Sequence, residues 1–178
     1  MPSAADRLVQ FLSARGVDRA WCVPGESYIA LLHALHPDQG SGIDLVVARH
    51  EGGAGFAALA DAKLSGRPGI VLVSRGPGAC NAAIALHAAE QDCVPLILLV
   101  GQVEARDLRR RAFQEIDYAA MFGDVAKWVG EATTPEMVPR LIARAWAMAT
   151  QGVPGPVVLS LPEDVLAMEC AVEAPAFA

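Results

Sequence analysis

The most informative segment of the chain reads Gly69-Ile70-Val71-Leu72-Val73-Ser74-Arg75-Gly76-Pro77-Gly78-Ala79-Cys80-Asn81. Residues 69–74 are apolar without alternation, which predicts a strand that is covered on both faces. The glycine–proline–glycine turn then leads into an alanine-rich stretch that is predicted to be helical as far as Gln91. A buried strand followed directly by a helix is the repeating unit of a parallel α/β sheet.

The same alternation extends in both directions from this segment. Further strands are predicted at residues 19–23, 43–48, 96–100, 127–130 and 157–161, and further helices at residues 3–16, 27–35, 51–64 and 134–149. The first helix begins with a capping-box pattern formed by Ser3 and Asp6. About six strands that alternate with helices predict a three-layer α/β/α fold with a central, mainly parallel sheet.

The composition indicates one domain with a partly covered surface. The chain has 178 residues, of which 53% are hydrophobic and 19% charged, and a formal net charge of −6. The charged share is lower than in ordinary soluble domains, so a partner subunit is expected to cover part of the surface. The acidic balance argues against generic binding to nucleic acid or to an anionic membrane. The longest apolar run, residues 94–100, is too short to span a membrane.

Two further expectations concern the domain boundary and the compartment. Residues 1–165 are predicted to form the domain and residues 166–178 a linker tail, because periodicity ends there. The four cysteines form no CxxC pair and no metal-ligand spacing. Scattered free thiols and the lack of a basic, apolar signal sequence predict a cytoplasmic protein.

Three glycine-rich loops follow predicted strands and are expected to meet at one edge of the sheet. They are Val23-Pro24-Gly25-Glu26, Arg49-His50-Glu51-Gly52-Gly53 and Arg75-Gly76-Pro77-Gly78-Ala79-Cys80-Asn81. In an open α/β sheet, ligands bind beyond the carboxyl ends of the strands. Taken alone, Gly76-Pro77-Gly78 is a phosphate- or nucleotide-binding turn or a plain tight turn. The plain turn is favoured, because the dinucleotide glycine pattern and the Walker ending are both missing.

Seven short motifs occur in one order and at consistent spacings. They are Val23-Pro24-Gly25-Glu26, Arg49-His50-Glu51, Gly76-Pro77-Gly78-Ala79-Cys80-Asn81, Asp92-Cys93-Val94-Pro95-Leu96, Val100-Gly101-Gln102, Phe113-Gln114-Glu115 and Gly155-Pro156-Val157. This ordered set resembles the pyrimidine-binding (PYR) module of thiamine-diphosphate enzymes, specifically the acetolactate synthase-like group. The resemblance covers nearly the whole chain, from about residue 3 to Val165, and implies the thiamine-diphosphate-binding fold.

The resemblance implies two catalytic residues, Glu51 and Gln114. In this family a glutamate at the start of the helix after the second strand hydrogen-bonds N1′ of the cofactor's aminopyrimidine, and Glu51 holds that position. The carboxyl group favours the imino tautomer, whose 4′-nitrogen deprotonates thiazolium C2 for attack on a 2-keto acid. Without the family, Glu51 is simply an acidic residue that favours a helix N-terminus. The cofactor-binding residues implied besides Glu51 are Pro24, Gly25, Gly76, Pro77, Gly78, Asn81 and Phe113.

Three positions depart from the family's pattern. Glu26 stands where many relatives have a second glycine, Arg75 where a small residue usually precedes Gly-Pro-Gly, and Cys80 where threonine is frequent. Arg75 is expected to narrow the access of substrate or to bind an acidic substrate, which leaves the substrate class open. Cys80 is expected to be a packed, inert thiol rather than a reactive one.

The family's second half-site has no counterpart in the sequence. The resemblance places the cofactor's diphosphate in another module, through Mg²⁺ and a GDG…N motif, whereas Gly123-Asp124 here precedes Val125. No metal ligand is therefore assigned, and the chain is expected to contact only the pyrimidine end of thiamine diphosphate and to be inactive alone. A requirement for FAD is left open. A homodimer or homotetramer is expected, in which the PYR module faces the diphosphate-binding domain of a partner subunit.

Several functions stay open at this point. The favoured one is decarboxylation of a 2-keto acid with ligation to a second carbonyl, as a transferase or lyase, with the chain as one part of a larger enzyme. The alternatives are the PYR subunit of a split 2-keto acid decarboxylase, a noncatalytic α/β binding or scaffold module, and a phosphate- or nucleotide-binding protein.

Overall fold

A computed structural model, which describes residues 1–175, shows a central sheet of six strands in which every pairing is parallel. The strand order is β2-β1-β3-β4-β6-β5. The strands are β1 (Arg19–Cys22), β2 (Asp44–Val47), β3 (Gly69–Ser74), β4 (Leu96–Gln102), β5 (Trp128–Glu131) and β6 (Pro156–Pro162). The predicted number of strands is confirmed, and the predicted bounds differ by one or two residues.

Helices cover both faces of the sheet, which confirms the three-layer α/β/α class. The helices are α1 (Ala4–Ala14), α2 (Ile29–Ala34), α3 (Glu51–Ser65), α4 (Arg75–Gln91), α5 (Tyr118–Phe122), α6 (Met137–Thr150) and α7 (Glu163–Ala167). One core contains α1, α2, α6 and α7, and the other contains α3, α4 and α5. The five-residue helices α5 and α7 were not predicted, because they are too short to show a helical repeat. None of the helices within residues 1–175 has the length and apolar character needed to cross a membrane.

The two central strands explain why the sequence alternates so little there. Every residue of β4 is buried, and so are all those of β3 before Ser74. The strands pair in register from Gly69 opposite Leu96 to Ser74 opposite Gly101. A side chain at Gly69 would place its Cβ 2.1 Å from the carbonyl oxygen of Ala58, so glycine here lets α3 approach the sheet closely. The register brings the carboxyl ends of β3 and β4 level with each other.

The helix starts show both correct and incorrect local predictions. The capping box of α1 is present, because Ser3 Oγ accepts from the amide of Asp6 at 3.1 Å and the Asp6 carboxylate accepts from the amide of Ser3 at 2.8 Å. Ser27, the predicted first residue of the second helix, lies outside α2, which begins at Ile29 with Tyr28 as the N-cap. It is buried instead, with its hydroxyl 2.8 Å from the hydroxyl of Ser74. Buried contact with β3 outweighs the local capping preference of serine.

The segment after Val165 continues to pack against the domain. Leu166 and Cys170 are fully buried, and the amide of Cys170 donates to the carbonyl of Pro2 at 2.9 Å. An isolated antiparallel bridge joins Ser3 to Glu169. A single bridge leaves no repeat in the sequence, so periodicity could not reveal this contact. The role of residues 166–178 as a linker stays a prediction, and its last three residues lie outside the described chain.

Candidate functional site

The loop after β1 and the first turn of α4 meet at the carboxyl edge of the sheet. The prediction of a loop over residues 75–81 is wrong, because α4 begins at Arg75, directly after β3. A Cβ built on Gly25 would lie 2.4 Å from Ser74 Cβ, so the first loop rests directly on the end of β3. A Cβ on Gly101 would lie 2.4 Å from Ser27 Oγ, which fixes the same loop over the end of β4. Glycine at position 25 is therefore required by contact within the protein itself. Pro24, the neighbouring predicted pocket residue, is exposed at this edge.

Glu51 is the first residue of α3 and lies at the same edge. His50 caps the helix, because its Nδ1 accepts from the amide of Gly52 at 3.0 Å. The Oε2 atom of Glu51 accepts from Nδ2 of Asn81 at 2.9 Å. The Oε1 atom lies 3.5 Å from the position that a Cβ on Gly78 would occupy. One carboxylate oxygen is thus held by the neighbouring helix, and a glycine leaves room beside the other.

The predicted residue Gln114 is joined to the glycine–proline–glycine turn through the backbone. The amide of Gly76 donates to the carbonyl of Gln114 at 2.9 Å. A Cβ on Gly76 would lie 2.7 Å from Ile116 Cδ1, which makes glycine necessary at this approach. Gln114 itself has a left-handed φ of +65°. Phe113 is 77% exposed, so its ring makes little contact with the rest of residues 1–175.

The edge therefore combines a carboxylate, a side-chain amide and a helical turn in which Gly76 and Gly78 flank Pro77. The structure brings together Glu51, Asn81, Gly78, Gly76 and Gln114, and it leaves Pro77 and Phe113 exposed nearby. Such a surface offers hydrogen-bonding groups and a close approach to the backbone, which are features that can orient a small ligand. Within residues 1–175, no group of three His, Cys, Asp or Glu side chains is arranged to hold a metal ion.

Comparison with known families agrees with this geometry. The family pattern described as "Thiamine pyrophosphate enzyme, N-terminal TPP binding domain" matches residues 2–121, which is well over half of the chain. The chain belongs to this family. The match covers the segments that follow β1, β2, β3 and β4, and it therefore includes every residue that was predicted to line the site.

Curated relatives of this TPP-binding domain are longer proteins. The acetolactate synthase large subunit of Lactococcus lactis is 37% identical over 94% of the chain and 29% of the relative. The acetolactate synthase isozyme 3 large subunit of Escherichia coli is 37% identical over 93% of the chain and 29% of the relative. A probable 2-ketoarginine decarboxylase of Pseudomonas aeruginosa is 38% identical over 93% of the chain and 30% of the relative. The chain spans less than a third of the length of these relatives.

Several residues behind the site of this TPP-binding domain were not predicted from the sequence. Tyr28 is buried, and its hydroxyl donates to the carbonyl of Val23. Burial raises the pKa of the Tyr28 phenol, and the nearby Cys22 and Glu51 raise it further. Gln102 is fully buried, and its Nε2 donates to the carbonyl of Ile116 at 3.1 Å. The sequence offered one signal for Gln102, namely a glutamine at the end of an apolar strand. A side-chain amide that is buried there needs hydrogen-bond partners.

The three departures from the family's pattern have different environments. Cys80 is exposed, so the expectation of a packed thiol is wrong; it lies on the outer side of α4. Arg75 is mostly buried and forms ion pairs with Glu26 at 3.3 Å and with Glu163 at 3.1 Å. Both terminal nitrogens of Arg75 are thus engaged by carboxylates of the chain itself. This favours neither of the two roles expected for Arg75, narrowing access or binding an acidic substrate.

Proposed function

We propose that the chain is the pyrimidine-binding half of a thiamine-diphosphate enzyme that acts on 2-keto acids, with Glu51 activating the cofactor's aminopyrimidine. When bound, thiamine diphosphate supplies an electron sink for the decarboxylation of a 2-keto acid. We favour a full reaction of the acetolactate synthase type, in which decarboxylation is followed by ligation to a second carbonyl. Membership of the family and the length of the acetolactate synthase relatives support this proposal.

The position of the Glu51 carboxylate is the observation that carries the proposal. Asn81 donates to Oε2 at 2.9 Å and so orients the carboxyl plane. Oε1 is left beside Gly78, where a hydrogen bond to the pyrimidine nitrogen N1′ is proposed. Glu51 would hold a proton at that nitrogen and take it back, which is the work of a general acid and base. Asn81 acts as a positioning residue for this exchange.

The other predicted residues would bind the cofactor or exclude water from the site rather than transfer protons. Pro24 and Gly25 would form one wall of the pyrimidine pocket, and Gly76-Pro77-Gly78 the other. Gln114 would present its amide near the reacting carbon, because the hydrogen bond of its carbonyl to Gly76 ties its loop to the turn. Phe113, which is exposed here, would close the site against water once a partner covers it.

The rest of the site is proposed to come from elsewhere in the assembly. A diphosphate-binding domain of a partner subunit would hold Mg²⁺ and the diphosphate, within a homodimer or homotetramer. The chain would then contact only the pyrimidine end of the cofactor and would be inactive alone. A domain of residues 1–165 followed by a linker to a further domain, and a cytoplasmic location, remain part of this proposal. A requirement for FAD is left open.

The experiment is the substitution Glu51→Gln in the complete protein, with measurement of proton exchange at thiazolium C2 of bound thiamine diphosphate. We expect exchange to slow by about 100-fold or more, the usual contribution of a positioned general acid or base. Glu90→Gln makes the same chemical change near the far end of α4 and should leave exchange unchanged. Unchanged exchange in Glu51→Gln would disprove the role of Glu51 and favour a noncatalytic module.

Two alternatives are separated by further measurements. The 2-ketoarginine decarboxylase relative favours decarboxylation without ligation as the second candidate, and product analysis with a 2-keto acid distinguishes the two outcomes. A nucleotide-binding turn is disfavoured, because the Gly76 amide is already bonded to Gln114. Calorimetry against ATP, NAD and thiamine diphosphate tests this, and tight binding of either nucleotide would overturn the proposed function.

A further inference from the structure

Arg75 lies at the junction of β3 and α4 and makes two ion pairs with distant parts of the chain. Its Nη1 is 3.3 Å from Glu26 Oε1, and its Nη2 is 3.1 Å from Glu163 Oε2. The arginine side chain is only 11% exposed. Within residues 1–175 its buried Nε has no hydrogen-bond partner. The two carboxylates compensate the charge of the guanidinium through its terminal nitrogens. A charge buried to this degree is stable only when it is paired.

The Arg75–Glu26 pair joins the ends of the neighbouring strands β1 and β3, and the Arg75–Glu163 pair joins the ends of β3 and β6, which are not neighbours in the sheet. Glu26 follows β1, Arg75 follows β3 and Glu163 follows β6, while β4 lies between β3 and β6 in the strand order. The side chain therefore spans the carboxyl edge from the loop after β1 to the start of α7. Backbone hydrogen bonds of the sheet cannot set the spacing of these loops, because the loops begin where strand pairing ends.

The backbone at Arg75 is in a conformation that side chains rarely adopt. Its φ is +45°, in the left-handed region, and the next residue, Gly76, starts the turn that meets Gln114. A left-handed residue other than glycine is strained and persists where its surroundings hold it. The two carboxylates at the end of this side chain and the hydrogen bond from the Gly76 amide to Gln114 are contacts that can hold it there. Arg75 thus has both an unfavourable backbone angle and a side chain that is held by two ion pairs.

We propose that Arg75, Glu26 and Glu163 form a clamp that sets the separation between the loop after β1 and the first turn of α4. Arg75 would then be a positioning residue for the pyrimidine pocket, and this part of the proposal rests on the proposed function. Gly25 lies next to Glu26, and Gly76, Gly78 and Asn81 follow Arg75, so the clamp joins the two walls assigned to that pocket. The clamp also occupies both terminal nitrogens of Arg75, so neither nitrogen is free to bind a substrate carboxylate.

This arrangement connects two departures from the family's pattern that the sequence presents separately. Glu26 stands in place of a frequent glycine and Arg75 in place of a small residue, and the two side chains are ion-paired. The guanidinium of Arg75 is mostly buried and also pairs with Glu163, whereas Glu26 is 69% exposed and is solvated with or without a partner. Glu26 thus adds a second carboxylate beside the buried charge of Arg75.

The first test measures amide hydrogen exchange in the complete protein without cofactor, for Arg75→Met. Methionine keeps much of the apolar stem and removes the charge. We expect exchange to rise about tenfold at the amides of Gly76 and Ile29, which are bonded to Gln114 and Glu26, while amides of α6 are unchanged. Arg67→Met is the matched control, because Arg67 makes an ion pair with Asp18 near the opposite end of β3. Unchanged exchange at both amides, or an equal rise throughout α6, would overturn the clamp.

The second test measures the Kd of thiamine diphosphate by calorimetry in the same proteins. We expect Arg75→Met and Glu163→Gln each to raise the Kd about tenfold, and the double variant to raise it less than threefold more. Arg67→Met should stay within about twofold of the wild type. A stability role alone would lower the unfolding midpoint without this non-additive change in Kd.

The outcomes of the two tests separate the clamp from the proposed function. If the wild-type protein does not bind thiamine diphosphate, the proposed function is wrong, and the exchange experiment still decides whether the clamp exists. If the wild type binds, and Arg75→Met leaves the Kd unchanged, the positioning role is wrong while the role of Glu51 stands. Additive effects of Arg75→Met and Glu163→Gln would likewise count against a shared clamp.

Discussion

The two helical layers of this protein pack in opposite ways. On one face, α1 and α6 bury large side chains and meet through rings, with Phe11 and Trp146 edge to face at a centroid distance of 6.1 Å. On the other face, α3 and α4 meet through small residues, and a Cβ on Gly55 would lie 2.5 Å from Ala85 Cβ. Among the helix residues that the structure describes, the first layer exposes one large apolar side chain, Ile29 of α2, and the second exposes three, Phe56, Leu64 and Ile84.

This difference leaves more large apolar side chains on the outer surface of the second layer than on that of the first. Helices that touch through glycine and alanine bring their backbones close together, so their larger side chains must point elsewhere. Ile84 is 60% exposed and Phe56 is 43% exposed. The layer with the small-residue contact also carries Glu51 and Asn81. The site residues therefore lie on the layer that is expected to face a partner.

The largest effect is expected from breaking the ring contact of the first layer. Phe11→Ala removes a buried aromatic side chain and leaves a cavity against Trp146, which should lower the free energy of unfolding by about 4 kcal/mol. Urea unfolding of the domain measures this. Leu64→Ala in α3 is the control, since Leu64 is 89% exposed and its loss should change stability by less than about 0.5 kcal/mol. Similar losses in both variants would contradict the contrast between the layers.

A smaller loss is expected from forcing the helices of the second layer apart. Gly55→Val places a branched side chain where Ala85 already lies, and the overpacking should cost about 2 kcal/mol. Gly53→Ala in the same helix has no neighbour within 4 Å and should instead stabilise the helix by about 0.5 kcal/mol. Thermal unfolding should give a lower midpoint for Gly55→Val and a higher midpoint for Gly53→Ala than for the wild type. A neutral Gly55→Val would mean that α3 and α4 can separate without cost.

The outer surface of the second layer is expected to act in assembly rather than in folding. Ile84→Gln should weaken self-association of the complete protein about tenfold and leave the free energy of unfolding of the domain nearly unchanged. Sedimentation at several concentrations measures the association. Val153→Gln, an equally exposed apolar position in the loop before β6, is the control. An assembly that is insensitive to Ile84→Gln would place the partner on another face.

The same contrast explains which features could be predicted from the sequence. The strands and the long helices follow from periodicity, because apolar patterning depends on burial within the chain. Glu51, Asn81 and Gln114 were predicted as site residues only through the order of their motifs, since contacts between separate segments leave no local pattern. The ion pairs of Arg75 and the burial of Ser27 were missed for that reason. The expectation for Cys80 was wrong because cysteine is among the most often buried residue types, whereas this one lies on the exposed side of α4.

The smallest effect is expected where a single ion pair links the two layers at the amino-terminal edge of the sheet. Asp18 precedes β1 after the helix of the first layer, and Arg67 precedes β3 after a helix of the second. The hydrogen bond from Arg67, at 2.8 Å, lowers the pKa of the Asp18 carboxyl below its ordinary value of 3.8. A lowered pKa in the folded state means that the stabilisation is complete above about pH 4 and is lost as the pH falls through the folded value.

Asp18→Asn should therefore lower the free energy of unfolding at pH 7 by about 0.5 kcal/mol, since the pair is exposed and screened by solvent. The difference from the wild type should shrink below about pH 4, where the wild-type carboxylate also loses its charge. Urea unfolding at pH 7 and at pH 3 measures both values, and Asp44→Asn, whose contact with Arg19 is longer at 3.9 Å, is the control. A difference that persists unchanged at pH 3 would show that the replacement of the carboxyl group by an amide, and not the loss of charge, causes the effect.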